Sequence, residues 1–135
     1  MITAIDTSVL LDVFAADPVF GPRSQQAVRG AVTDGRLTAC EVVWAEVGGF
    51  FPSANAVRGA METLGVDYSS MTLETALVAS AAWKRYRERG GRRIRVVADF
   101  LIGAHALAQA DRLLTRDRGF YRTYFSQLRL LDPAK

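Results

Sequence analysis

The chain is poor in the residues that build several common kinds of site. Its single cysteine, Cys40, excludes an internal disulfide framework and any multi-cysteine metal site. The stretch Leu37-Thr38-Ala39-Cys40 reads as a buried strand end, where a thiol is simply a small core residue. A single histidine, His105, leaves zinc without its usual ligands, and its place in an alanine-rich helix favours a structural role. No apolar run approaches the roughly 18 residues that span a bilayer. Met1 to Asp6 has no basic lead and meets an acid at once, unlike a secretory signal. The expectation is a reduced, cytoplasmic protein with no membrane association. Repeats, linkers and low-complexity tracts are also missing, so the 135 residues are expected to form one domain, 1–135.

What is present is ordinary for a folded domain: half of the residues are hydrophobic and 23% are charged. The charge is unevenly spread. From Lys84 to Arg95, seven cations (Lys84, Arg85, Arg87, Arg89, Arg92, Arg93 and Arg95) stand against Glu88 alone, so the rest of the +3 chain is mildly acidic. A basic stretch of this density suits a polyanion such as RNA. It equally suits a solvated helix end, where cations complement the helix dipole.

The apolar run Thr3-Ala4-Ile5 reads as a strand ending in Asp6, and Thr7 or Ser8 opens a helix to Phe14 that Asp17-Pro18 breaks. A second helix is expected from Pro22 to Thr33, with Ala27, Val28, Ala31 and Val32 facing inward. Arg36 to Cys40 reads as a strand, and Glu41 to Phe51 as a helix stopped by Pro52. Ser53 caps a helix from Ala54 to Leu64 that Gly65 ends, and Val66-Asp67-Tyr68 forms a short strand. Thr72 caps a long helix from Leu73 to about Arg89; another runs from Val97 to Ala110. Arg112 to Thr115 is a strand, Phe120 to Phe125 a short helix, and Leu128 to Leu131 a last strand. Strands alternating with helices imply an α/β fold. It should have three layers, with a mostly parallel sheet of four to five short strands.

Ligands of such sheets bind beyond the carboxyl ends of the strands, which singles out a few of the fourteen acids. Asp6 directly follows the first strand, and Asp117 lies two residues past Thr115. Asp99 has Ile102, Gly103 and Ala106 at helical spacing and so belongs to an inward stripe. Glu46 has Val42, Val43, Gly49 and Phe50 at the same spacings and is expected on a buried stripe too. Each acid alone has an everyday reading, as a helix cap or as half of an ion pair. Together they point to one edge of the sheet. Crowded carboxylates repel one another unless a cation intervenes, and hard Mg²⁺ or Mn²⁺ takes oxygen ligands. The chemistry implied is metal-assisted hydrolysis of a phosphodiester.

The blocks Ile5-Asp6-Thr7-Ser8-Val9-Leu10-Leu11, Glu46 in an apolar helix, Asp99-Phe100-Leu101-Ile102-Gly103-Ala104-His105-Ala106 and Leu114-Thr115-Arg116-Asp117-Arg118-Gly119-Phe120-Tyr121 resemble a PIN domain. Their order and spacing are most similar to the toxin half of a VapBC toxin–antitoxin pair, across essentially the whole chain. The resemblance implies a Mg²⁺- or Mn²⁺-dependent endoribonuclease with catalytic Asp6, Glu46, Asp99 and Asp117. Asp6, Asp99 and Asp117 would be the metal ligands, and Glu46 would orient the attacking water. The family's small hydroxyl residue maps onto Thr115, or onto Thr7 and Ser8. Thr7, Thr115, Arg116 and Arg118 would contact substrate. Some relatives carry a further acid where this chain reads Arg118-Gly119-Phe120; that departure leaves the count open between one firmly held metal and two. The implied partners are RNA, a VapB-like antitoxin seated on Val9–Phe14 and Phe50-Phe51-Pro52, and a second copy in a homodimer. Two rivals stand beside this: an RNA-processing PIN nuclease without an antitoxin, and an inactive RNA- or protein-binding module. A dehalogenase-like phosphatase would need a second aspartate where Ser8 stands.

Overall fold

In the computed structural model, which describes residues 1–90 and 96–134, β1 (Ile2–Ile5) leads into α1 (Thr7–Phe14) and α2 (Gly21–Asp34). β2 (Arg36–Ala39), α3 (Glu41–Gly48), α4 (Ala54–Leu64) and β3 (Val66–Tyr68) follow. The second half comprises α5 (Leu73–Glu88), α6 (Val97–Gln109), β4 (Arg112–Leu114), α7 (Arg118–Tyr124) and β5 (Leu130–Leu131). All pairings are parallel, in the order β3-β2-β1-β4-β5. This is the α/β fold expected, with five strands.

The strand order has a direct consequence. From β1 the chain moves outward to β2 and β3, then crosses back to β4 on the other side of β1. Right-handed crossovers running in opposite directions place helices on both faces of the sheet. Buried on both faces, β1 and β2 carry apolar or small residues at successive positions (Thr3, Ala4, Ile5; Leu37, Thr38, Ala39) instead of alternating. The reversal also opens a crevice between the carboxyl ends of β1 and β4, the usual ligand position in open parallel sheets.

Most expected boundaries hold to within a residue or two. Ser53 and Thr72 accept from the backbone N–H groups of Ala56 and Thr75, as helix caps should. Gly65 ends α4 in the left-handed conformation, φ 80°. Three expectations fail. α3 stops at Gly48 instead of Phe51, because the costly pair Gly48-Gly49 unwinds it and Phe50 and Phe51 bond back in turns to Val47 and Gly48. Val32 is exposed, since the inward line of α2 runs through Ser24, Val28 and Ala31. The last strand is only Leu130–Leu131; Leu128 instead donates its N–H to the Phe125 carbonyl. Of the basic stretch, Lys84 to Arg89 end α5 and its cap, while Arg92, Arg93 and Arg95 lie outside the described residues. Among the described residues, no helix is long and apolar enough to cross a membrane.

α6 packs along α5 and runs beneath the site. Its Gly103 is a forced choice: an added Cβ would stand 2.5 Å from a carbon of the buried Phe125 ring. Gly103→Ala is therefore expected to destabilise the protein by about 1–3 kcal/mol through overpacking, although alanine is the better helix former. A urea titration checks the sign, and a stabilised variant would mean that Phe125 repacks freely.

Candidate active site

Asp6 leaves β1 at its carboxyl end and becomes the N-cap of α1. Its Oδ1 accepts from the Thr7 N–H at 2.8 Å, and its Oδ2 accepts from Thr115 Oγ1 at 2.8 Å and from Tyr121 OH at 3.3 Å. The backbone N–H of Asp6 is bonded to Leu114 O, which fixes β1 to β4 at this point. The residue is 9% exposed, and burial raises the pKa of its carboxyl from 3.8. The three hydrogen bonds pull it down, and the charge of Asp99 pushes it up again. Tyr121 is held well above its ordinary value, first by burial and then by the charges of Asp6, Asp99 and Asp117. Its phenol therefore stays protonated and donates to Asp6.

Asp99 is the third residue of α6, and its Oδ2 accepts from the Val96 N–H at 3.2 Å, closing the first turn. Asp117 precedes α7, and its N–H donates to Thr115 Oγ1 at 3.0 Å. The Thr115 hydroxyl thus joins Asp6 to the backbone of Asp117. Asp6, Asp99 and Asp117 line one cleft of about 440 Å³ with Ser8 and Arg116. It opens where the sheet order reverses.

The remaining positions are distributed differently. Glu46 is exposed, not on a buried stripe as its spacing implied, because α3 turns Val43 and Val47 to the core. It is nevertheless tied to the site: Thr7 Oγ1 donates to Glu46 Oε1 at 2.6 Å. Arg116 lines the cleft with its guanidinium held by Asp12 at 2.8 and 3.1 Å. Arg118 is not among the cleft's lining residues and pairs with Asp132 at 2.9 Å. His105 is buried, with Nε2 3.0 Å from Ser69 Oγ, and burial lowers its pKa, so it is neutral at physiological pH. Cys40 is buried, as its strand-end position suggested. Asp12 and Tyr121 went unnoticed in the sequence. Asp12 had a usable signal, a carboxylate between Leu11 and Val13 in an apolar helix.

The donor set around the cleft is all oxygen, the kind that hard divalent cations take. Among the described residues, no three acids, histidines or cysteines already stand as a ready cage. Magnesium does not require one, since it binds through one or two carboxylates and keeps several waters. A buried carboxylate whose pKa is raised partly by a neighbouring acid is a position that a cation would relieve. The residues present fit such an ion.

An open parallel α/β sheet with three aspartates lining a cleft at its switch point is an architecture that many families share, and the comparisons narrow it. The PIN domain model matches residues 3–126, and the chain belongs to the PIN-domain family. The chain has no match among curated protein sequences. Among solved structures it is similar to VapBC-1 from nontypeable Haemophilus influenzae, with a TM-score of 0.76, 19% identity and full coverage of both chains. VapBC2 from Rickettsia felis, bound to a DNA fragment from its promoter, gives a TM-score of 0.76 at 14% identity over 98% of each chain. A toxin–antitoxin complex from Klebsiella pneumoniae gives 0.71 at 17% identity over 97% of each. At such identities the likeness is one of fold.

Proposed function

We propose that the chain is a Mg²⁺- or Mn²⁺-dependent endoribonuclease, the VapC-type toxin of a toxin–antitoxin pair. The observation that carries this reading is the convergence of Asp6, Asp99 and Asp117 on one cleft at the sheet's switch point. Asp6 and Asp99 would be the primary metal ligands, with Asp117 bound directly or through water. When bound, the ion lowers the pKa of water and counters charge on the phosphate oxygens. Glu46 holds Thr7 through Oε1, which leaves Oε2 to accept a proton from the attacking water and orient it. Thr115 and Tyr121 keep Asp6 turned toward the cleft. Of the four residues expected to touch substrate, Arg116 is the one lining the cleft. The hydroxyls of Thr7 and Thr115 are engaged by acids of the site, and Arg118 is engaged by Asp132.

The partners follow the same reading. The likeness to VapBC structures supports a VapB-like antitoxin. The Phe14–Phe51–Phe50 ring series, with Phe50 half exposed, supplies an apolar strip beside α1 for it to cover. A homodimer is supported by Leu73 and Leu77, one helical turn apart on α5 and both largely exposed.

Purified protein, free of any partner, is incubated with total cellular RNA and Mg²⁺ or Mn²⁺, with an EDTA control and Asp99→Asn alongside. Discrete fragments are expected that require metal and vanish in the variant; sequencing their ends names the target. RNA bound but left intact by both proteins would instead assign a binding module.

A further inference from the structure

Asp12 lies in α1 with its side chain 6% exposed, outside the acid cleft. A buried carboxylate is costly unless its oxygens are satisfied. Ser24 Oγ of α2 donates to Oδ2 at 2.9 Å, Arg116 Nε donates to Oδ2 at 2.8 Å, and Arg116 Nη2 donates to Oδ1 at 3.1 Å. The same guanidinium sits over the Phe20 ring, with Cζ 4.0 Å from its centroid. Arg116 is thus gripped along one edge by a buried acid and packed against an aromatic ring. Its side chain is 30% exposed and lines the cleft beside Asp117.

The manner of the grip is informative. A guanidinium has five N–H donors in a rigid fork. Asp12 takes the Nε side, and among the described residues the Nη1 end makes no hydrogen bond, which leaves a pair of parallel donors for a second oxyanion. Without the grip, a cation one residue from Asp117 and beside Asp6 and Asp99 would fall onto those carboxylates and compete with the metal. With it, the plane of the fork is set before substrate arrives, and the ordering cost of a long side chain is already met.

We propose that Asp12, with Phe20, is a positioning residue that fixes Arg116 as a bidentate phosphate anchor for RNA at the rim of the acid cleft. The inference rests on RNA being the substrate. Charge alone makes the opposite prediction, because removing an acid near a polyanion site should strengthen RNA binding.

The test measures anisotropy of a fluorescein-labelled single-stranded RNA oligonucleotide with the full chain in EDTA, so that binding is separated from metal-dependent cleavage. Arg116→Lys keeps the charge but loses the fork, and is expected to weaken Kd about tenfold. Asp12→Asn should weaken it by a similar factor despite removing a negative charge. The double variant Asp12→Asn with Arg116→Gln should bind no worse than Arg116→Gln alone. In cleavage with Mn²⁺, KM rises for each variant while kcat moves by about twofold or less. The proposal is overturned if Arg116→Lys binds like wild type, or if Asp12→Asn lowers the melting temperature but leaves Kd and KM unchanged. Multiplying losses in the double variant would overturn it as well. Should Asp12→Asn not fold, Phe20→Leu reads the same positioning, with weaker Kd expected and an unchanged Kd counting against it. If wild type binds the RNA but never cuts it with metal, the nuclease reading fails while the Kd series still decides the anchor.

Discussion

Asp6→Asn is expected to lower RNA cleavage on the order of a thousandfold, yet to make the metal-free protein more stable once the pH exceeds the raised native pKa of Asp6. The loss follows from position. One preorganised group that stabilises developing charge is worth about a hundred- to a thousandfold, and under the proposed mechanism Asp6 is both such a group and a metal ligand. The gain follows from burial. Burial holds the Asp6 carboxyl above its ordinary value of 3.8 in the folded chain. A group with a raised native pKa contributes stability that is fully present below the unfolded value and lost as pH rises through the native one. Once the pH exceeds that native pKa, the metal-free protein therefore carries a buried charge that the asparagine variant lacks. The difference in melting temperature between variant and wild type should grow from about pH 4 upward and level off above the native pKa. Adding Mn²⁺ should raise the melting temperature of wild type and leave the variant unmoved. A wild type indifferent to Mn²⁺ would remove Asp6 from the metal site, and a variant less stable at every pH would show that the hydrogen bonds an amide nitrogen cannot accept outweigh the buried charge.

How far the site was legible depended on the kind of signal each residue left. Asp6 and Asp117 follow apolar strands, and strand ends are marked by the sequence itself; the crevice between β1 and β4 then follows from the strand order. That order was not readable, because alternating helices and strands imply parallel pairing without saying which strand is central. Asp99 was placed on an inward stripe by counting threes and fours, and its helix does bury Ile102, Gly103 and Ala106. The same count misjudged Glu46, since a residue flanking a buried line shares neighbours with it; two of its presumed companions, Gly49 and Phe50, lie past the end of α3. Tyr121 and Asp12 owe their roles to partners 115 and 104 residues away, Asp6 and Arg116. No local pattern encodes such pairs. Arg118 shows the converse, a cation beside the motif that Asp132, just past β5 and outside the cleft, has claimed.

Phe100→Ala is expected to cost about 3–5 kcal/mol, the range for deleting a buried aromatic ring. Phe100 is fully buried, next to Asp99, and its ring meets five others: Trp83, Tyr86, Phe120, Tyr124 and Phe125, with centroids 5.0–6.4 Å away. These rings come from α5, α6, α7 and its cap, so one side chain ties together the helices that carry two of the three cleft aspartates. Edge-to-face contacts add about 0.5–1.5 kcal/mol per pair beyond simple burial, and the rings left around an alanine cannot all close the void. Phe100→Leu fills most of the volume and should cost less than half as much. The activity readout separates this from chemistry. At low temperature, where the alanine variant remains folded, its cleavage should fall far less than that of Asp6→Asn, because every carboxylate is retained. Urea titrations of the two variants beside wild type give the stabilities. An alanine variant within about 1 kcal/mol of wild type would show that the aromatic cluster is loosely packed, and that α6 is held over the site by its apolar contacts with the sheet instead.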